Sequence, residues 1–517
     1  MKTPANLNIG PTEDTVNSRK RYVWIIPVAE YRWMWKPLGR YLEKERGLRP
    51  LMIVPSEQDR QFYLEQFDDP LEPDQVVLTS NYLDRVVEGK CRDQKTLLEQ
   101  AVKYETRHGI TLMRDMVQCC RHHGRGFTIG WNGWPRSRAG SVSSLNAAID
   151  ACLDSADYFD NLANRYPPGL VISSDGCGIF SKSIPLLCRE LGVPFRSLAE
   201  GRINDLFYWA SDEFQNSLPF ERKISEYPRV EEDKIQAMED RIKPNAAFRV
   251  YGPGLLRYHS FLYTVKDICY QILHHAYMKA RGYRKARYGF TGGSTAWMLL
   301  RKFWDTRRQS KKPCLGIGDI PNDRKIVFLP LGTEPEVSVQ GQSPEYSNQY
   351  AMLVDIALSI PSDALLVVKE HPLQLGRRNP EFYRRINEMP NACMAQVQLP
   401  SHPLIQRAHL VCTINGSAAY EAAMFGVPVA YFSHHGPIRA VPHVKGMKSF
   451  KDLSWIRKIL SKDGEKERAR RRQDGARFFY ASNAHCMDLD GFDFHTRDAA
   501  PSPDEIKVIA DPLLQST

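Results

Sequence analysis

A chain of 517 residues that is 42% hydrophobic and 25% charged has a globular composition and more length than one core requires, so two domains are expected. Its net charge of +10 gathers in one stretch, since Arg257 to Lys312 holds thirteen Lys and Arg against Asp267 and Asp305 and the rest is near neutral. No run approaches the roughly 18 apolar residues of a membrane span, and the N-terminal twenty lack the apolar stretch of a secretory signal, which excludes those two classes and leaves a cytoplasmic expectation.

In chain order, Tyr22 to Pro27 (YVWIIP) predicts a strand, followed by a helix opened by Pro37 and a second strand at Leu51 to Val54. A strand at Gln75 to Thr79, a long helical pattern around Leu97 to Met116 and a helix from Ser144 to Arg165 continue the alternation. The strand Leu170 to Ser173 leads through Asp175-Gly176-Cys177-Gly178 into a helix that ends at Gly192, its expected C-cap, before a strand that begins at Val193-Pro194-Phe195. Residues 20 to 250 therefore read as one α/β domain.

Residues 251 to 319 read as a basic linker of amphipathic helices, with Phe261, Leu262, Val265 and Trp297, Trp304 among its large apolar side chains. Such a pair suits an anionic membrane surface, and its plainer role is to pack against a neighbouring domain. From 320 to 460 the alternation is cleaner. Strands are predicted at Ile326 to Pro330, Leu365 to Val368, Cys393 to Val397, Leu410 to Ile414 and Val427 to Phe432, with helices between them, which is the pattern of a doubly wound parallel sheet. Residues 461 to 517 form a helical tail, whose charge-rich segment Lys462 to Arg472 reads as a solvated face. The eleven cysteines lack C-x-x-C spacing and read as reduced thiols. The pairs His122-His123, His274-His275 and His434-His435 point their rings in different directions, so no metal is expected.

In an open parallel sheet, ligands bind beyond the carboxyl ends of the strands. Three strand ends carry suitable chemistry: Leu331-Gly332-Thr333-Glu334-Pro335-Glu336, Lys369-Glu370-His371-Pro372 and Asn415-Gly416-Ser417. The last opens a helix whose unpaired amides favour a phosphate, and Ser417 could bond a phosphate oxygen, although an ordinary N-cap is the plainer role. Glu421, one turn later, could accept hydrogen bonds from ribose hydroxyls. The alternative for Glu421 is a solvent-exposed helical glutamate. His371 sits extended before a proline at the sheet edge, where an imidazole could donate to a phosphate or protonate a leaving group.

These segments, PLGTEPE, VVKEHP and TINGSAAYEAAMFGVPVAYF, resemble the capsule polysaccharide biosynthesis family, which includes Kdo transferases. The layout is also similar to bacterial sialyltransferases, whose histidine-proline and serine motifs hold a cytidine monophosphate. The resemblance implies a GT-B glycosyltransferase: two Rossmann-like domains facing across a cleft, with His371, Pro372, Asn415, Gly416, Ser417 and Glu421 on the nucleotide and Lys369 and Glu336 as further donor-site candidates. Relatives commonly carry a histidine in a PLH-x-x-PE pattern where this chain has Gly332. In the N-terminal half, the segment from Tyr104 to Ile110, with Glu105, and Gly201-Arg202-Ile203 are similar to parts of related surface-carbohydrate proteins.

The resemblance implies transfer of Kdo or a related acidic sugar from a CMP-sugar onto a lipid-linked or polysaccharide acceptor. Catalytic candidates are His371 on the leaving group and Asp175 or Glu105 as the activating group, with Asp115 and Glu200 also considered. The scheme calls for no cofactor, metal or nucleic acid, and it fits a cytoplasmic protein peripheral to the inner face of a membrane. The alternatives are another GT-B-like enzyme (a UDP-sugar or glycerophosphate transferase, or a sugar epimerase) and a non-catalytic component of a polysaccharide assembly or export complex.

Overall fold

The computed structural model describes residues 21–28, 31–127, 136–173, 178–203, 205–242, 260–283, 289–309, 314–461, 464–489, 492 and 499–515. Two sheets organise the chain. The first comprises β1 (Tyr22–Ile25), β2 (Arg49–Val54), β3 (Val76–Leu78), β4 (Pro168–Ser173), β5 (Phe195–Glu200), β6 (Leu206–Ala210) and β13 (Met487–Asp488), in the order β13-β6-β5-β4-β1-β2-β3. The second comprises β7 (Lys325–Pro330), β8 (Ala364–Lys369), β9 (Ala392–Met394), β10 (Leu410–Thr413), β11 (Val429–Tyr431) and β12 (Val444–Gly446), in the order β12-β11-β10-β7-β8-β9.

Every pairing in the second sheet is parallel. Its strands are near-continuous runs of buried residues, as a sheet covered on both faces requires: Val327, Phe328, Leu366, Val367, Val368, Val411 and Cys412 are fully buried. The first sheet is parallel from β3 through β5, and β6 and β13 add antiparallel strands at one edge. In both sheets the chain reverses direction beside its first strand, between β1 and β4 and between β7 and β10, which is the doubly wound arrangement that opens a crevice at the strand ends.

The principal helices are α1 (Arg32–Arg46), α2 (Gln94–His108), α3 (Leu145–Arg165), α4 (Ile179–Leu191), α5 (Leu218–Glu226), α6 (Glu232–Arg241), α7 (Phe261–Ala280), α8 (Gly292–Gln309), α9 (Gln349–Ser359), α10 (Pro380–Asn387), α11 (Ser401–Arg407), α12 (Ser417–Met424), α13 (Glu465–His485) and α14 (Pro503–Gln515). Pro37 does not open α1 as expected; it lies inside a helix that begins at Arg32, where buried Trp33, Met34, Trp35 and Leu38 hold the face against the sheet. The pattern expected to run from Leu97 to Met116 is interrupted, because Gly109 takes the left-handed conformation (φ 63°) and caps α2, and a separate turn follows at Met113–Val117. Gly192 caps α4 as expected.

The tail returns to the first domain. β13 pairs with β6, the Trp209 indole N–H donates to Ile509 O at 2.8 Å, and the Tyr41 hydroxyl meets the Asp511 carboxylate at 3.1 Å. One apolar core crosses between the domains, from Ala199, Tyr208 and Phe220 to Tyr420, Tyr431 and Phe478. Polar contacts join the domains elsewhere: Lys182 Nζ donates to Gly341 O (2.7 Å), Gln118 Nε2 to Ser347 Oγ (2.6 Å) and Gly436 N to Asn216 Oδ1 (2.9 Å). The two sheets thus face one another with the strand-end loops between them.

Candidate functional site

The β7, β8 and β10 loops converge at the point where the second sheet reverses. Lys369 closes β8 on the same sheet face as Val367, the face covered by Leu404, Ile405 and Ala419 of α11 and α12. The lysine is 5% exposed, and burial pushes its ammonium down to about 8. Among the described residues its Nζ donates no hydrogen bond and forms no ion pair, although the Glu370 carboxylate opposes the shift. An ammonium held in so enclosed a place, with only the Glu370 charge to offset its desolvation, is costly, and it is suited to a ligand that brings negative charge.

His371, two residues on, opens the short turn Pro372–Gln374, and its Nδ1 accepts the Leu373 backbone N–H at 3.2 Å. An accepting Nδ1 places the proton of the neutral ring on Nε2. Burial, with Lys369, Arg378 and Arg377, holds the imidazole well below its usual range against the pull of Glu336. His371 is therefore a neutral ring that donates through one nitrogen.

At the β10 end, Gly416 is the N-cap of α12 and Ser417 is its first helical residue, so Ser417 is not the cap. Asn415 is tied down on both sides: its amide donates to Gln342 Oε1, and its oxygen accepts the Tyr431 hydroxyl at 2.5 Å. Its side chain braces the turn, and the helix amides beyond it keep their N-terminal orientation. Glu421 is buried, not solvent-exposed, and faces His402 Nδ1 at 3.4 Å.

Below these loops lies a buried ionic cluster. Arg378 donates from Nε to Glu370 (2.8 Å), from Nη1 to Glu334 (3.0 Å) and from Nη2 to Gly332 O (2.6 Å). Glu370 also accepts the Tyr383 hydroxyl (2.7 Å) and the His371 amide (2.7 Å). One guanidinium thereby fixes the β7 and β8 loops to each other. Glu336 is exposed, accepts the Thr333 and Ser338 hydroxyls, and follows a loop whose Glu334–Pro335 bond is cis. The missing histidine has a steric counterpart: a Cβ on Gly332 would lie 2.8 Å from Cγ2 of Val339, which is itself 1% exposed. The site is built for glycine here.

The first domain contributes a residue that the sequence did not mark as functional. Arg202, just past β5, has a left-handed backbone (φ 60°), and its Nε is buried without a hydrogen-bond partner. Glu200, Tyr420, Glu336 and Tyr431 surround it electrostatically and raise its already high pKa, so a permanent cation reaches across the cleft. Gln340 Nε2 and Ser343 Oγ, beyond the β7 loop, are also buried and unpartnered. Orphaned polar groups in a cleft are what a polar ligand satisfies.

The other candidates divide. Asp175 lies outside the described residues, after β4. Glu105 accepts the Leu112 backbone N–H at 2.8 Å, and Asp115 accepts that of Thr111 at 2.8 Å, so both carboxylates hold the turn after α2. Glu200 ends β5, exposed at the cleft beside Arg202. Among the described residues no group of three His, Cys, Asp or Glu side chains is placed to hold a metal. A cavity between Gln236, Gln406, Gly426 and Arg471 opens at the amino ends of β10 and β11, away from all of these groups.

Residues 236–436 match the family model described as capsule polysaccharide biosynthesis protein. No curated protein sequence matches the chain. Among solved structures, the chain is similar to the beta-Kdo 2,7 transferase KpsC of Thermosulfurimonas dismutans (14% identity, 62% of this chain and 80% of that one, TM-score 0.29). It is also similar to the UDP-GlcNAc 2-epimerase of Neisseria meningitidis (11% identity, 90% of this chain and 98% of that one, TM-score 0.29).

Proposed function

We propose that this chain, whose residues 236–436 match the capsule polysaccharide biosynthesis model, is a nucleotide-sugar-dependent glycosyltransferase of capsule or surface-carbohydrate assembly. The observation that carries the reading is Lys369, an enclosed lysine at the carboxyl end of β8 that makes no hydrogen bond or ion pair among the described residues, beside the neutral donor His371. Together with the amides that open α12 at Ser417, these groups would hold the departing nucleotide phosphate. Glu421 would take the ribose. Arg202 would approach the same charge from the other domain, so that closing the cleft completes the anion site.

The acceptor hydroxyl needs a carboxylate on the first domain. Asp175 and Glu105 remain candidates from the sequence, and Glu200 joins them on its position at the end of β5. The leading donor is CMP-Kdo or a related CMP-linked acidic sugar, whose own carboxylate gives Arg202 a second anion to meet. The acceptor is a lipid-linked or polysaccharide glycan, and the protein works peripherally at the inner face of a membrane.

Thermal unfolding with added nucleotide and turnover of a CMP-sugar followed by mass spectrometry test this reading. CMP protects the protein and UDP does not, and His371→Ala loses turnover at an unchanged unfolding midpoint without ligand. If His371→Ala and Ser417→Ala both keep turnover and nucleotide affinity, the site lies elsewhere.

A further inference from the structure

Helices α7 and α8 form an antiparallel hairpin whose surface is unusual for a water-facing element. The N-terminus of α7 is ordinary, with the Ser260 hydroxyl accepting the Tyr263 backbone N–H at 3.3 Å. Thereafter only Thr264 of its twenty residues is buried. Leu262 is 80% exposed, Leu273 70%, Tyr270 60% and, on α8, Trp297 69% and Trp304 58%. Of the large apolar residues exposed among the described part of the chain, half lie on this hairpin. An outer face about 30 Å long, the length of a 20-residue helix, is left to water.

The charges on the same element decide what covers it. Lys266, Lys279, Arg281, Arg301, Arg307 and Arg308 are exposed on the hairpin, against Asp267 and a buried Asp305 that meets Arg301 at 3.5 Å. A second copy of the chain would set one such basic face against another, which repulsion disfavours. A surface with apolar depth and negative headgroups matches both properties, and tryptophan and tyrosine at the edge of an apolar face are the residues that settle at a lipid–water boundary. Among the described residues no helix is long and apolar enough to cross a membrane, so the match is to the surface.

The hairpin is also joined to the cleft. Gly376, five residues past His371, has φ 78°, and a Cβ there would lie 2.7 Å from Lys302 O and 2.8 Å from Thr306 Oγ1. The inner face of α8 therefore rests directly on the loop that follows His371. At its other side, Ser294 Oγ donates to Arg136 O (3.1 Å) and Arg138 N to Gly289 O (3.1 Å), tying the hairpin to the first domain.

We propose that the α7–α8 hairpin is a membrane-docking element that lays its outer face on an anionic lipid surface and holds the cleft between the two sheets beside the headgroups. The lipid contact stands independently of the transferase reading; that it presents a lipid-linked acceptor rests on that reading.

Flotation of the full chain with phosphatidylcholine vesicles, with and without phosphatidylglycerol, tests it. The protein floats with the anionic vesicles, and about 0.5 M salt weakens the binding. Two variants separate the contributions: Leu262→Ser with Leu273→Ser and Trp297→Ser, and Lys266→Glu with Lys279→Glu and Arg308→Glu. Each changes only exposed positions, keeps the unfolding midpoint, and lowers vesicle binding at least about tenfold. Equal flotation of parent and variants, or no dependence on anionic lipid, overturns the proposal. So does a dimer or a protein complex that the serine variant abolishes while vesicles stay unbound. If vesicles fail to bind while CMP still protects the protein, the docking proposal alone falls and the transferase reading stands.

Discussion

Burial and positive charge meet at Lys369 with the Glu370 carboxylate only partly offsetting them, and together they make opposite demands on stability and on binding. Below about pH 8 the ammonium is protonated in both folded and unfolded chains, and the folded state bears the full cost of its burial, roughly 3 kcal/mol by the linkage between pKa and stability. As pH rises from 8 toward the unfolded value the folded lysine loses its proton first, and that cost fades. Lys369→Met should therefore raise the unfolding midpoint of the ligand-free protein at neutral pH, with the gain shrinking above pH 8. Nucleotide binding should move the other way, weakening by about 1.5–3 kcal/mol, the worth of a charge-assisted bond, and losing the decline in affinity that the parent shows as pH rises through 8. Calorimetric titration and thermal unfolding across that range check both signs; a variant that is less stable and binds CMP normally would make Lys369 a structural residue. In the sequence, Lys369 was legible as a strand-end residue, as were His371 and Ser417. Its enclosure was not, because burial is a property of three-dimensional surroundings. Arg202 was hidden for the same reason: nothing in Gly201-Arg202-Ile203 says which residues of the other domain it will face.

The strand-end loops owe their shape to Arg378 rather than to the residues that mark them. Its guanidinium joins Glu334 of the β7 loop to Glu370 of the loop after β8, all three being 1% exposed or less. Removing one member of a buried ionic cluster leaves the others uncompensated, which typically costs about 3–5 kcal/mol. Arg378→Met should lower the urea midpoint by an amount in that range and loosen the His371 loop, so that nucleotide protection is lost in the fraction that still folds. Arg384→Met, whose partners Glu381 and Glu388 are exposed, should cost under about 1 kcal/mol. Equal effects from the two substitutions would show that the cluster does not set the loop. The elements themselves were legible wherever a buried β-branched run alternated with a helix, as in β1, β2, β4, β7, β8 and β10. β6 and β13 escaped because the strand–helix–strand rhythm carries no signal for an antiparallel return, and β13 is two residues long. Pro37 misled because a proline can sit inside a helix whose face is pinned by three neighbouring buried side chains, Trp33, Met34 and Trp35.

Across the whole molecule, the chain does not keep to one sheet before it starts the next. The tail closes the first sheet through β13 and α14, and α5 and α6 of the first half pack on α13 within the shared core. Stability should accordingly be a property of both halves together, and buried histidines distributed over them offer a way to measure it. Burial pushes His123 of the first domain down to about 4, and does the same to His443 of the second and to His435, which stacks on Phe214 across the interface with ring centroids 4.1 Å apart. Each ring stays neutral in the fold while the unfolded chain takes up a proton near pH 6.5. The unfolded state therefore binds more protons between pH 6.5 and 4, and stability falls as pH falls through that window, by up to about 1.4 kcal/mol per pH unit for each ring. His443 is the cleanest probe, since it is fully enclosed and its Nε2 donates to Ala423 O at 2.9 Å. His443→Gln keeps a donor for that carbonyl and removes the titration. Urea unfolding at about pH 7.5 and about pH 5 should show a single transition that weakens in acid for the parent and weakens less for the variant. Two separated transitions would mean that the halves unfold independently despite their common core, and parallel pH profiles of parent and variant would mean that His443 does not carry its share of the acid sensitivity.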